Sequence, residues 1–330
     1  MSEPILDVKN LKTYFFITEG VVKAVDGVHL EIGKGEVLGL VGESGCGKST
    51  VALSVMRLVR RPGKIVDGQV WFEGEDLMRK SEDEMRAIRG GRISMIFQNP
   101  TSSMNPVYTV GGQIGEAIRL HQNVERHQVK EKVVEMLHKV GIPDSEKRAE
   151  DYPHEYSGGM CQRAMTAMSL SCNPELLIAD EPTTNLDVTI QAQILELMKS
   201  LRKDFGASIL LIGHNLGVIS ELCDNVAVMY AGKIVEHAAL ETIFESPKHP
   251  YTQALLGAVP RLDMTTERLR IIPGTVPRLI NPPPSCRFQP RCDFAMPVCS
   301  EQDPPLREID QGHTVACFLY ASKGQPASTG

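Results

Sequence analysis

Short continuous apolar runs alternate along this chain with stretches of helical period, and their order predicts a parallel sheet covered by helices. Glu36-Val37-Leu38-Gly39-Leu40-Val41, Leu176-Leu177-Ile178-Ala179 and Ser208-Ile209-Leu210-Leu211-Ile212 have the length and composition of strands buried on both faces. A helical pattern begins near Lys48 and another runs from Val188 to Lys203, so the chain reads as βαβ units. Val21-Val22-Lys23-Ala24-Val25 and Gly68-Gln69-Val70-Trp71-Phe72 predict short strands on either side of the first apolar run. From Gly111 to about Lys139 apolar residues return at helical spacing (Ile114, Ala117, Ile118; Val129, Val133, Met136, Leu137, Val140), which predicts a helical subdomain over about 100–170. After Glu245 the prolines at 247, 250, 260, 273, 277 and 282–284 exclude long helices and central strands. A boundary near 250–260 follows, dividing the chain into 1–255 and 256–330.

Composition narrows the class without naming it. With 330 residues, 42% hydrophobic and 23% charged, the chain is expected to be globular with one large or two modest cores. A net charge of −6 gives no general attraction for phosphate backbones, so nucleic acid is not expected as a partner. No run approaches the ~18 apolar residues of a membrane span, and Met1-Ser2-Glu3-Pro4 lacks the basic-then-apolar pattern of a secretory signal. The expectation is a cytoplasmic chain that meets a membrane only through another protein.

Gly42 to Ser49 read G-E-S-G-C-G-K-S between a strand and a helix, the setting a phosphate loop requires. Gly42, Gly45 and Gly47 let the backbone curl around phosphate with Ser44 and Cys46 between them, and the helix N-terminus adds partial positive charge. Lys48 is expected to reach the β- and γ-phosphates of ATP, Ser49 to hold Mg²⁺ through its hydroxyl, and Thr50 to follow in the same turn. Asp180 ends a buried run, where open α/β sheets bind ligands, and is expected to contact Mg²⁺ through water. Glu181, next in the chain, is the candidate general base for the attacking water. Gln98 follows the run ending at Ile96-Phe97 and has an amide able to ligate Mg²⁺ and orient water; His214 follows Gly213 and could sense the γ-phosphate. Ser157-Gly158-Gly159-Met160 opens a helix and offers a second anion site without a lysine. Taken singly, Gln98 reads equally as a turn residue, His214 as a surface histidine and Ser157 as a helix cap. Together, a phosphate loop and a separate lysine-free anion site predict that one chain holds the nucleotide while another closes over its γ-phosphate.

Of eight cysteines, Cys46, Cys161, Cys172 and Cys223 are scattered, while Cys286, Cys292, Cys299 and Cys317 follow C-x5-C-x6-C-x17-C. Four thiolates invite a 4Fe–4S cluster or Zn²⁺. Structural zinc usually takes cysteines about two to four residues apart, and no such pair exists here, so the wider loops favour the larger cubane, with Arg287 and Arg291 offsetting thiolate charge. Such a centre would staple a proline-rich tail with little core of its own.

In their order these motifs resemble the nucleotide-binding subunits of ABC transporters over about residues 5 to 250. The resemblance identifies Gly42–Ser49 as Walker A, Gln98 as the Q-loop, Ser157 to Met160 as the signature, Leu176–Asp180 as Walker B and Glu181 as the catalytic glutamate. It further implies Asn185-Leu186-Asp187 as the D-loop, with Asp187 near nucleotide, His214 as the switch histidine, and Phe15, flanked by Tyr14 and Phe16, as the adenine-stacking aromatic. The implied fold is α/β: a P-loop NTPase of ABC type with a RecA-like core, an antiparallel β-subdomain, a helical subdomain and a small cysteine-rich C-terminal extension. Gly213 and Asn215 depart from the commoner Thr-His-Asp around the switch, and Met160-Cys161 departs from the usual Gln after the signature glycines. The tail, with Ile272-Pro273-Gly274-Thr275-Val276-Pro277 and His249-Pro250-Tyr251-Thr252, resembles that of oligopeptide and dipeptide importer ATPases. This implies two transmembrane permeases, an extracytoplasmic solute-binding protein, usually a second, non-identical ATPase subunit, and a place on the cytoplasmic face of the membrane. Coupling to the permease is expected near Gln98 to Tyr108. Nickel and some sugar importers share the branch, and the remaining alternatives are a soluble redox-sensing ATPase and a soluble ABC protein acting in DNA repair or translation.

Overall fold

The computed structural model of the chain describes residues 3–184, 186–258, 272, 274–277 and 279–320. It divides into two compact units, one drawn from Met1–Ile5, Ile32–Val37 and Phe72–Ile212, the other from Leu6–Glu31, Leu38–Trp71 and Gly213–Gly330.

In the first unit the strands Ile93–Ile96, Leu176–Asp180 and Ser208–Gly213 run parallel, with Ile93 opposite Leu176 and Leu176 opposite Ser208. Every residue of the first two is buried, which is why these runs are apolar but for Ser94 and the terminal Asp180 and do not alternate. Ser208, buried at the start of its strand, is satisfied: its hydroxyl donates to the Gly33 carbonyl at 3.0 Å and accepts from the Gly35 N–H at 2.8 Å. Three helices, Val110–His121, Gln128–Lys139 and Gly158–Leu170, share one core. Ile114 and Ile118 on the first, Val133 and Leu137 on the second, and Ala164 and Ala167 on the third are buried together at helical spacing. The helical stretch expected from 111 to 139 is thus two helices, broken where Gln122 turns extended (φ −117°, ψ 140°).

The second unit carries a sheet in which Gly20–Ile32, Leu6–Ile17 and Gly63–Phe72 lie side by side. Only Thr18 and Glu19 separate the first two in sequence, a connection that an antiparallel pair alone permits. Short strands were expected here; the hairpin instead sustains pairing over strands of 12 and 13 residues, because so tight a turn keeps both arms in register. In the same unit Val37–Val41 pairs in parallel with Asn225–Tyr230, which pairs antiparallel with Lys233–Ala239. Residues 307–315, beyond the boundary expected at 256, add two strands to this arrangement: His313–Val315 pairs with Lys233–Ala239, and Arg307–Asp310 with His313–Val315. Glu236 secures the join. Fully buried, its carboxylate accepts from the N–H groups of Lys248 and His249 and meets the His313 imidazole at 2.8 Å.

Candidate active site

The phosphate loop belongs to the second unit, between the buried strand Val37–Val41 and the helix Lys48–Val55. Its glycines are dictated by space as well as by dihedral angle. Gly42 has φ 156° and Gly47 φ 113°; a Cβ on the first would lie 2.1 Å from the Met229 carbonyl oxygen, and one on the second 2.2 Å from that of Ala24. Gly232 N–H donates to the Cys46 carbonyl at 2.8 Å, fixing the loop from below. Lys48 is buried, and its ammonium donates to the carbonyls of Gly42 at 2.7 Å and Glu43 at 3.0 Å. Ser44 and Gly45 are exposed, Ser49 and Thr50 half-buried, and no acidic side chain occupies the first helical turn. An anion therefore meets no carboxylate of that turn at the helix N-terminus. Burial pushes the Cys46 thiol above its usual range, which keeps it neutral inside the loop.

In the same unit the Tyr14 hydroxyl is committed to Asp26 at 2.6 Å. Phe15 is half-buried, with its ring edge over Gly63, where a Cβ would fall 2.7 Å away. His214 is exposed after the strand Ser208–Gly213. Asn215 caps the helix Leu216–Leu222 by accepting the Gly217 N–H at 3.0 Å, the role an aspartate would fill.

The acidic residues lie in the first unit. Asp180, 2% exposed, ends its strand, and Glu181 follows in the left-handed region at φ 49°. A non-glycine residue held there stores roughly 1–3 kcal/mol and persists only where its surroundings enforce it. Here the Glu181 N–H donates to Ile212 at 2.9 Å, its carbonyl accepts from the Thr184 N–H at 3.3 Å, and Oε2 accepts from the Thr184 hydroxyl at 3.2 Å. Ser157 caps the helix Gly158–Leu170 by accepting from Met160 N–H, and Asp187 caps Val188–Phe205 by accepting from Ile190 N–H. Ser157 and Gly158 are exposed, and a Cβ at Gly158 would meet nothing within 4 Å. Gln98 is exposed just beyond the strand Ile93–Ile96, and Asn185 lies outside the described residues. Two residues not anticipated join this group: Thr184, and Gln162, whose buried amide donates to the Pro182 carbonyl at 3.1 Å. The only sequence sign of Gln162 was a polar residue among the apolar positions of the signature helix.

Cys286, Cys292, Cys299 and Cys317 line one small cavity together with His249, Phe288 and Phe294. Among the described residues no three His, Cys, Asp or Glu side chains are gathered closely enough for a single metal ion. Burial raises the thiol of Cys286 to about 11 and lowers His249 to about 3, so both are neutral as they stand. The two neighbouring arginines do not serve the sulfurs as expected. Arg287 pairs with Asp26 and Arg291 with Glu43, because a carboxylate gives a guanidinium the charged, two-oxygen partner that a neutral thiol does not.

Residues 25–184 match the family described as ABC transporter, and residues 235–299 match the oligopeptide/dipeptide transporter C-terminal region. The oligopeptide transport ATP-binding protein AppD of Bacillus subtilis is 51% identical, covering 98% of this chain and 99% of its own. The dipeptide transport ATP-binding protein DppD of the same organism is 48% identical over 98% of this chain and 97% of its own. A solved dimer of the ATP-binding cassette MJ0796 with ADP and Pi superposes with a TM-score of 0.66 at 24% identity, covering 71% of this chain and 98% of that one. Likeness in fold covers 71% of the chain, and likeness in sequence covers 98% of it. The chain belongs to the ATP-binding proteins of ABC transporters, in the branch that carries the oligopeptide/dipeptide transporter C-terminal region.

Proposed function

We propose that the chain is the ATP-hydrolysing subunit of an importer of di- and oligopeptides. It would act as one of two paired ATPase chains on two membrane permeases fed by an extracytoplasmic binding protein. Among the described residues no helix is long and apolar enough to cross a membrane, so translocation falls to the partners. The observation that carries the pairing is Gly158. Neither its backbone angle nor its packing calls for glycine within this chain, whereas close approach of a γ-phosphate held by another chain does. Lys48 and the loop N–H groups bind and orient the β- and γ-phosphates. Glu181 orients water for attack on the γ-phosphorus and accepts its proton as the bond to the bridging β-oxygen breaks. Phe15 packs on adenine, His214 reads the γ-phosphate, and Asp187 belongs to the turn beside it. The hard-oxygen donors Ser49, Gln98 and Asp180 suit Mg²⁺, which when bound neutralises phosphate charge. The peptide relatives resemble the tail as well as the core, which favours peptide over nickel or oligosaccharide as cargo.

The test uses the chain assembled with its permeases in vesicles. Peptide-loaded binding protein should raise ATP hydrolysis about tenfold or more over the isolated chain, whose incomplete sites hydrolyse slowly. Equal stimulation by nickel- or oligosaccharide-loaded binding protein, with none from peptide, would replace the cargo assignment.

From the one cavity that all four cysteines line we further infer that Cys286, Cys292, Cys299 and Cys317 would hold a 4Fe–4S cluster. Its contribution would be to close three loops of the tail. Anaerobically purified protein should be brown and contain about four irons per chain; colourless protein with stoichiometric zinc would overturn the assignment.

A further inference from the structure

We propose that Arg291, with Tyr251, is a positioning residue for the phosphate loop, so that the cysteine-bearing tail sets how tightly the loop holds nucleotide. The inference rests on reading Gly42–Ser49 as that loop. Arg291 immediately precedes Cys292, and its side chain is 5% exposed. Its two terminal nitrogens donate to the two carboxylate oxygens of Glu43 at 2.8 and 3.0 Å, a fork that fixes orientation as well as distance. Glu43 is the second residue of the loop. Its backbone N–H donates to the Tyr251 hydroxyl at 2.8 Å, while its carbonyl accepts from Lys48 at 3.0 Å and from the Cys46 N–H at 3.3 Å. One residue is thus gripped by the tail through its side chain and carries the phosphate-binding lysine on its backbone.

Behind this grip the packing is continuous. Tyr251 stands against Tyr230 and Phe288 with ring centroids 4.6 and 5.4 Å away, and Phe288 lines the cysteine cavity beside Cys286 and Cys292. The brace matters because the loop is made for freedom. Gly45 at φ 80° is exposed and has nothing within 4 Å of its absent Cβ. A loop not held in place must lose that freedom when nucleotide binds, which weakens affinity without altering the chemical step. The tail therefore supplies preorganisation to the nucleotide site and does more than close upon itself.

A double-mutant cycle on the full chain tests this, with Mg·ADP titrations of Glu43→Gln, Arg291→Gln and the double variant. Each single change should weaken affinity about tenfold, and the double no further, because either one breaks the same fork. Arg291→Lys, keeping charge with one bond, should fall between. In the assembled transporter the KM for ATP should rise while kcat stays within about twofold, a split that general destabilisation does not produce. Unchanged affinity in both single variants, or losses that multiply in the double, would overturn the brace. Should Arg291→Gln loosen the tail to protease, Glu43→Gln alone decides, since it alters no tail residue. Lys48→Ala separates the two readings: if it weakens nucleotide while the fork variants do not, the brace alone fails, and if it too is silent the phosphate-loop reading fails with it.

Discussion

Glu181→Gln should bind Mg·ATP within about twofold of the parent and lose turnover at least about a hundredfold. The expectation follows from what the substitution keeps. An amide retains an acceptor oxygen for the Thr184 hydroxyl at 3.2 Å, and the backbone bonds to Ile212 and Thr184 are untouched. The left-handed turn at φ 49° therefore persists, and the melting temperature should stay within about 2 °C. What disappears is the carboxylate that accepts the proton of the attacking water. The measurement pairs nucleotide titration with steady-state hydrolysis in the assembled transporter. Parental turnover would remove Glu181 from the role of base, and lost binding would show that it holds nucleotide instead. Glu181→Ala, which also loses the Thr184 bond, should show the same loss of turnover together with a lower melting temperature.

Local structure was readable from the chain, and long-range contacts were not. The helix expected near Lys48 begins there, and the strand expected from Leu176 includes Asp180 at its end, because strand, loop and cap signals fall within a few residues of each other. The helix from Val188 runs two residues past Lys203, to Phe205, and stops where Gly206 adopts φ 68°, a C-terminal signal that the sequence does contain. The tail strands Arg307–Asp310 and His313–Val315 were not seen, since runs of four and three residues hold too few positions to show a period of two. Nor could spacing reveal that Arg291 would choose Glu43, 248 positions away. A cluster of cysteines offered that arginine a nearer and plainer partner, and only folding shows which anion reaches it. Gln162 was hidden for the opposite reason. It sits in a helix whose apolar neighbours set the expectation, and its purpose is the backbone carbonyl of Pro182 on another element.

The second large effect is expected from Lys48→Ala, at the other end of the same catalytic assignment. A charge-assisted bond from an ammonium to phosphate is worth about 1.5–3 kcal/mol, so losing it should weaken Mg·ATP binding by roughly one to two orders of magnitude. The structure adds a further contribution. Lys48 is 5% exposed and ties the carbonyls of Gly42 and Glu43 together, so alanine also releases the limb of the loop that Arg291 steadies from outside. Lys48→Arg keeps charge but must place a wider planar group in a loop where Gly42 and Gly47 already stand against backbone; it should recover only part of the affinity. Titration of Mg·ATP and Mg·ADP separates the contributions. A larger loss for ATP than for ADP identifies the γ-phosphate contact, and an equal loss for both identifies the loop. Parental affinity for both nucleotides would mean that Gly42 to Ser49 does not cradle phosphate, and the assignment of this segment would fall with it.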